Sequence, residues 1–129
     1  MEWFFNNSLR MMERSMDFLW TKQTAILDNI SNAETPEYKA KYVTFEEALR
    51  SRLQSAAGKS KPIASMGEAL DQTSAVVHEA TGESARMDGN GVNITEQSVE
   101  MVRNAYQLQY AMMSINSDLG TLRTAIRGQ

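Results

Sequence analysis

Apolar residues recur near the start of the chain with the spacing of a coiled coil. Phe5, Leu9, Met12, Met16, Leu19, Gln23, Ile26 and Ile30 alternate steps of four and three, and only Gln23 among them is polar. Such spacing lays a single apolar seam along a helix. Met11 and Phe18 flank the seam and widen it. A helix of about 25 residues would run roughly 37 Å. The far end does the same through Met101, Ala105, Leu108, Met112, Ile115, Leu119, Leu122 and Ile126. Thr95 is placed to cap its start, with Glu96 in the first turn to suit the helix dipole. Ile94 and Val99 stand at the two positions of a hydrophobic staple, and Gly128 ends the pattern. This second helix would span about 30 residues, or roughly 45 Å.

Two seams of similar length at opposite ends predict a mainly α fold. The long N- and C-terminal helices pair as an antiparallel coiled coil, with an irregular middle segment between them. The C-terminal helix carries a second stripe, however. Val99, Val102, Tyr106, Tyr110 and Met113 point away from the first seam at 100° per residue. Residues 104–117 contain no charge at all, whereas the wet side of a surface helix ordinarily carries Lys and Glu. Two readings follow for that face. Either another part of the same chain covers it, or copies and partners do, and the amides and tyrosines favour assembly.

Between the helices, "TFEE" at Thr44–Glu47 has the form of a capping box opening a short helix. Val43 is placed to staple onto Ala48, and Phe45, Leu49 and Leu53 share one face. Residues 56–91 lack periodicity and hold Gly58, Pro62, Gly67, Gly82, Gly89 and Gly91, which predicts loop with a short extended piece at 75–78. The expected organisation is therefore three parts. Residues 1–55 form the first helix, a corner and a short second helix; 56–91 are irregular; 92–129 form the last helix, the two ends making one axial domain.

Composition narrows the function. The chain has 129 residues, 42% hydrophobic and 22% charged, with net charge −3 and no cysteine. That composition is too apolar for full disorder. The charge gives no field for nucleic acid, and the lack of thiols removes disulfides, thiolate zinc sites and a cysteine nucleophile. Lys39, Lys41, Arg50, Arg52, Lys59 and Lys61 make the middle locally basic, but Glu46 and Glu47 interrupt them and no aromatic ladder accompanies them. A solvated face or an acidic protein neighbour suits them better than phosphate. No stretch approaches the ~18 apolar residues of a membrane span, and the opening residues do not form a signal peptide. No direct membrane insertion and export without a cleaved signal are the expectation.

Catalytic chemistry is not evident. His78 is the sole histidine, so no histidine metal cluster exists. Asp88–Glu96 fails as a calcium loop because Val92 and Asn93 occupy positions that need an oxygen ligand and a glycine. There is no phosphate-binding glycine loop. Neither an enzyme nor a cofactor is expected.

"NISNAETPEYK", Asn29–Lys39, closes the first helix. Asn29 and Asn32 can satisfy backbone groups left open there, and Pro36 bars continuation while biasing Thr35 to extended backbone. Tyr38 can lay its ring back across the helix end. Together these make a rigid corner. The stretch also resembles the Asn-Ile-x-Asn-x-x-Thr-Pro-Gly-Tyr-Lys signature of bacterial flagellar rod, hook and related axial proteins. Asn29, Ile30, Asn32, Thr35, Pro36, Tyr38 and Lys39 match it. "YVTFEEAL" (42–49) and "GNGVNI" (89–94) are similar to the proximal-rod members, so motifs cover about residues 5–53 and 89–127. Glu37 departs from the family glycine. It fits a type I turn without strain, or a type II turn with strain of order 1 kcal/mol.

The resemblance implies a structural subunit at the base of the flagellar rod, exported by the flagellar type III apparatus. Its expected partners are other rod and basal-body proteins, copies of itself and the export apparatus. Rod proteins of this kind pair their terminal helices around a central channel. On that basis Leu9, Met12, Met16, Leu19, Ile26, Met101, Leu108, Met112, Ile115, Leu119, Leu122 and Ile126 are expected in the intrachain seam. Val102, Tyr106, Tyr110 and Met113 are expected between subunits. The competing class is a cytosolic helical adaptor or export chaperone that forms a small closed oligomer.

Overall fold

The computed structural model describes residues 2–81 and 91–128, with side chains at 6–61, 64–81 and 91–128. Phe5 of the first seam, and Gly89 and Asn90 of the second motif, lie outside the described side chains. The elements run α1 (Glu2–Ser31), β1 (Lys41–Thr44), α2 (Glu46–Ala57), α3 (Pro62–Asp71), β2 (Val76–Glu79) and α4 (Ile94–Arg127). The two terminal helices hold 30 and 34 residues, so α4 extends roughly 51 Å.

They pack antiparallel. Asn29 meets Gln97, Lys22 meets Glu100, and the Leu19 carbonyl meets Asn104, so numbers fall along α1 as they rise along α4. Leu19 and Ile26 of α1 and Leu108 of α4 are buried at this contact. Gly128 closes α4 in the left-handed region at φ 68°, donating its N–H to Thr124 O. The start of α4 differs from expectation. Asn93 rather than Thr95 is the cap, its Oδ1 accepting from the N–H groups of Thr95 and Glu96 at 3.1 and 3.3 Å. Ile94 lies inside the helix and, like Val99, is exposed, while Val92 ahead of the cap is buried. Asparagine reaches both amides from outside the helix, which a Thr95 cap could do only by shortening it.

β1 and β2 form an antiparallel pair in which Lys41 faces Glu79 and Thr44 faces Val76. Between them in sequence come α2 and α3, packed on each other and, through α3, on α1. Helix α3 and strand β2 divide the 56–91 stretch read as irregular. Pro62 at the first turn presets the helical φ, and Met66, Ala69 and Leu70 give a short apolar face too brief to stand out beside Gly67. A Cβ at Gly67 would come within 3.0 Å of Arg10 Nη1 and Asn7 Oδ1, so this glycine lets α3 close on α1. Arg10 then binds Asp71 at 2.8 Å, and Arg14 donates to the Asp71 carbonyl at 3.1 Å.

The expected capping box at Thr44–Glu47 does not form. Phe45 stands at the cap position of α2 without a side-chain cap bond, and the Thr44 hydroxyl meets His78 Nε2 across the sheet at 2.7 Å. Phe45 is needed elsewhere. It stacks on Phe18 with ring centroids 5.4 Å apart and joins Leu49, Leu70 and Leu53 in the core. Burying such a ring contributes about 1.5–3 kcal/mol, against ~1 kcal/mol for a cap.

Candidate subunit interface

Asn29 builds the corner. It is fully buried, at 0% exposure, and it addresses one backbone unit twice. Its Oδ1 accepts from Lys41 N–H at 2.7 Å, and its Nδ2 donates to Lys41 O at 2.8 Å. The side chain thus stands in for a neighbouring strand at the start of β1. The same Nδ2 donates to Gln97 Oε1 at 2.9 Å, and Tyr38 Oη donates back to Asn29 Oδ1 at 3.4 Å. Gly91 N–H donates to Tyr38 O at 3.3 Å. One amide therefore gathers the end of α1, the start of β1 and the entry to α4. Asn32 does the local work, donating to Asp28 O and accepting from the Thr35 hydroxyl. Ile30 and Tyr38 are half-buried, while Thr35, Pro36 and Lys39 are exposed.

The turn over Pro36 is closed by Tyr38 N–H on Thr35 O at 3.4 Å. Glu37, its third residue, has φ 59°. With Pro36 restricted to negative φ, that sign makes it a type II turn. The strained branch of the two expectations is the one present.

Lys41 reaches Asp28 at 3.1 Å. That hydrogen bond and its charge raise the Lys41 pKa above the ordinary lysine value. Burial, chiefly, raises that of Tyr38. On α4, Glu100 sits 3.0 Å from Lys22 and 2.8 Å from Arg103. The Lys22 hydrogen bond is the main cause that holds its carboxyl below the usual range.

The seam on α4 lies one residue off the expected frame at alternate steps. Met101, Leu108, Ile115 and Leu122 are at least half-buried, and their companions are Asn104, Ala111 and Asp118. Ala105, Met112, Leu119 and Ile126, expected there, are exposed, Ile126 to 77%. On α1, Leu9, Met12 and Met16 are half-buried and Leu19 and Ile26 buried. Asn104 is the residue that the periodicity missed, because a polar side chain is not counted in an apolar frame. It is 0% exposed. Its Nδ2 donates to Leu19 O at 3.0 Å and to Gln23 Oε1 at 2.7 Å, while its Oδ1 is buried without a hydrogen bond. The polar Gln23 in the α1 seam was the only sign of it.

The opposite side of α4 is bare. Tyr106 is 70% and Tyr110 76% exposed, and Val99, Val102 and Met113 are exposed with them. Nothing in the described chain lies over this face. Its edge opens into a groove of about 590 Å³ floored by Met11, Phe18, Phe45 and Leu49. Among the described residues no cluster of His, Asp and Glu is placed to hold a metal ion, and no helix is long and apolar enough to cross a membrane. What the chain presents is a long uncharged surface.

No family model matches the chain. Curated relatives do. It is 27% identical over 128 residues, 96% of each chain, to the flagellar basal body rod protein FlgB of Bacillus subtilis (strain 168). It is 28% identical over 117 residues to FlgB of Aeromonas hydrophila, covering 84% of this chain and 85% of that one. The chain is similar to flagellar basal body rod proteins over most of its length. FlgB of Escherichia coli (strain K12) is 21% identical over 120 residues, 87% of each. Rod-family likeness thus runs through the middle of the chain, where short motifs had found no match.

Proposed function

We propose that this chain is a structural subunit of the flagellar basal-body rod, assembling with itself and with other rod proteins through its terminal helices into a hollow shaft. The observation that carries the reading is the uncharged, exposed outer face of α4, centred on Val102, Tyr106, Tyr110 and Met113. A face of that chemistry is stable only where neighbours exclude water from it. The intrachain seam holds α1 and α4 as one strut, and the corner fixed by Asn29 sets the direction in which the rest of the chain leaves it. Torque passed along such a shaft is shared among many modest lateral contacts rather than borne by one. Export through the flagellar type III apparatus belongs to the same reading, as does a place in the envelope-spanning part of the basal body. The adaptor or chaperone alternative draws no support from the relatives, which are rod proteins.

The test is location. Basal bodies purified from cells making an epitope-tagged chain should retain the tag in the rod after rings and membrane are stripped. Cells lacking the chain should build no rod and should not swim. A tagged chain that stays in the cytosol as a closed dimer would reject the reading.

A further inference from the structure

The two ends of the α1–α4 strut carry opposite charge. At the corner end Glu34 and Glu37 stand exposed in the turns beyond α1, and Glu96 stands exposed in the first turn of α4. Asp28 and Lys41 neutralise each other there, and the exposed Lys39 is outnumbered by the three carboxylates. The opposite end is basic. Contacts between the long helices run 29 to 97, 22 to 100 and 19 to 104, so Arg123 falls level with the start of α1 and Arg127 beyond it. Helix α3 runs beside α1 in the same direction, because Asp71 lies on Arg10 and Arg14 whereas Gly67 lies on Asn7 and Arg10. The loop between α2 and α3, which carries Lys59 and Lys61, therefore reaches that same end. All four cations are exposed, and none is in an ion pair among the described residues. Glu68 and Asp118 lie in the bodies of α3 and α4, set back from the tips.

Resting on the rod-subunit reading, we infer that the basic end of one copy docks on the acidic corner end of the next, head to tail along the strut axis. Lys59 and Lys61 of the arm tip supply the cations, and Glu34 and Glu37 of the corner supply the carboxylates. Both sets stand in loops that close the ends of the strut, not on its flanks, so they face each other when copies stack end to end. Parallel copies lying level would set like charges beside like. An antiparallel pair would bring opposite ends level, but with both sets pointing past each other along the axis. The contact is heterologous, each copy using its two ends once, and such contacts propagate instead of closing. Exposed ion pairs are individually weak. Complementary patches nonetheless speed encounter and fix which way round the partners meet, which is what a shaft built from one kind of strut requires. The uncharged face of α4 lies on the flank and is left for lateral neighbours.

Sedimentation of the pure chain reads the contact without the rod. At about 0.01 M salt, where the screening length is ~30 Å, species beyond dimers should form and grow with concentration. At about 1 M salt, where it is ~3 Å, monomer alone should remain. Lys59→Glu/Lys61→Glu and Glu34→Lys/Glu37→Lys should each abolish the association with helicity unchanged, since all four side chains are exposed. The four changes together should restore it. Monomer at low salt would overturn the inference, and so would a dimer that grows no further or a fourfold variant that does not reassociate. In basal bodies each pair of changes should cut incorporation about tenfold, and the fourfold variant should return it to within about twofold of the parent. A loss that the fourfold variant leaves unrepaired would assign the basic end to an acidic surface of a different rod protein, and would overturn the contact between copies. Absence of the unsubstituted chain from basal bodies would instead reject the rod reading, with sedimentation still deciding the end-to-end contact.

Discussion

Asn29 shows what a single amide can do that neither an acid nor an alkane can. It must accept from Lys41 N–H and donate to Lys41 O and Gln97 Oε1 from a fully buried position. Asn29→Asp keeps the shape and the acceptor but loses the donor, leaving two acceptors facing a carboxylate. Stability should fall by about 2–3 kcal/mol, read as a lower urea midpoint. Glu37 is the converse case. At φ 59° it occupies a region that costs a non-glycine residue of order 1 kcal/mol. Glu37→Gly should therefore raise the midpoint by about 0.5–1 kcal/mol, the gain trimmed by the greater freedom of glycine in the unfolded chain. At this scale the sequence was partly legible. Glu37 could be seen to conflict with a type II turn, because that conflict is local. The partners of Asn29 lie 12 and 68 residues away, and no local pattern points to them.

Among the elements, both long helices could be read from their heptads, because apolar periodicity survives over many turns. The rotation of α4 on α1 could not. Its true frame passes through Asn104 and Asp118, which an apolar count steps around. Helix α3 was missed because its apolar face is a single turn long, and β1 because four residues carry too little pattern, whereas the extended piece expected at 75–78 is there as β2. The capping box misled because Phe45 is worth more in the core than at solvent.

Asn104 also bears on register. Apolar frames on α1 and α4 repeat every seven residues, so a slip of one heptad would preserve much of the apolar contact. The polar links Asn29 to Gln97, Lys22 to Glu100 and Gln23 to Asn104 would all be broken by it. A buried amide in such a seam fixes alignment at some loss of stability, and here the unpartnered Oδ1 is the visible loss. Asn104→Leu should be as stable as the parent or more so. Spin labels on α1 and α4 should then report a second population displaced by about 10 Å, one heptad. A single unshifted distance would deny Asn104 this role.

Glu100 adds a pH dependence. Its folded pKa lies below the ordinary value, so its contribution is complete above the ordinary carboxylate pKa. It disappears as pH falls through the lowered one. Thermal midpoints followed from neutrality into acid should fall less steeply for Glu100→Gln than for the parent.

At the scale of the whole molecule, the chain is finished on one side only. Helix α1 covers one flank of α4, and the other flank exposes valine, methionine and tyrosine without a charge for fourteen positions, residues 104–117. The sequence disclosed that flank through its missing charges, and the structure leaves it uncovered. In the proposed rod such a flank would be useful, since neighbouring chains would shield it.

The most direct measurement is the incorporation of Tyr106→Glu into basal bodies, taken together with the helicity and solubility of the same variant alone. Tyr106 is 70% exposed in the single chain, so a carboxylate there should leave the lone protein folded and at least as soluble. Incorporation should fall at least tenfold and swimming should be lost with it. Full incorporation and normal swimming would contradict the assignment of this face to contacts between subunits.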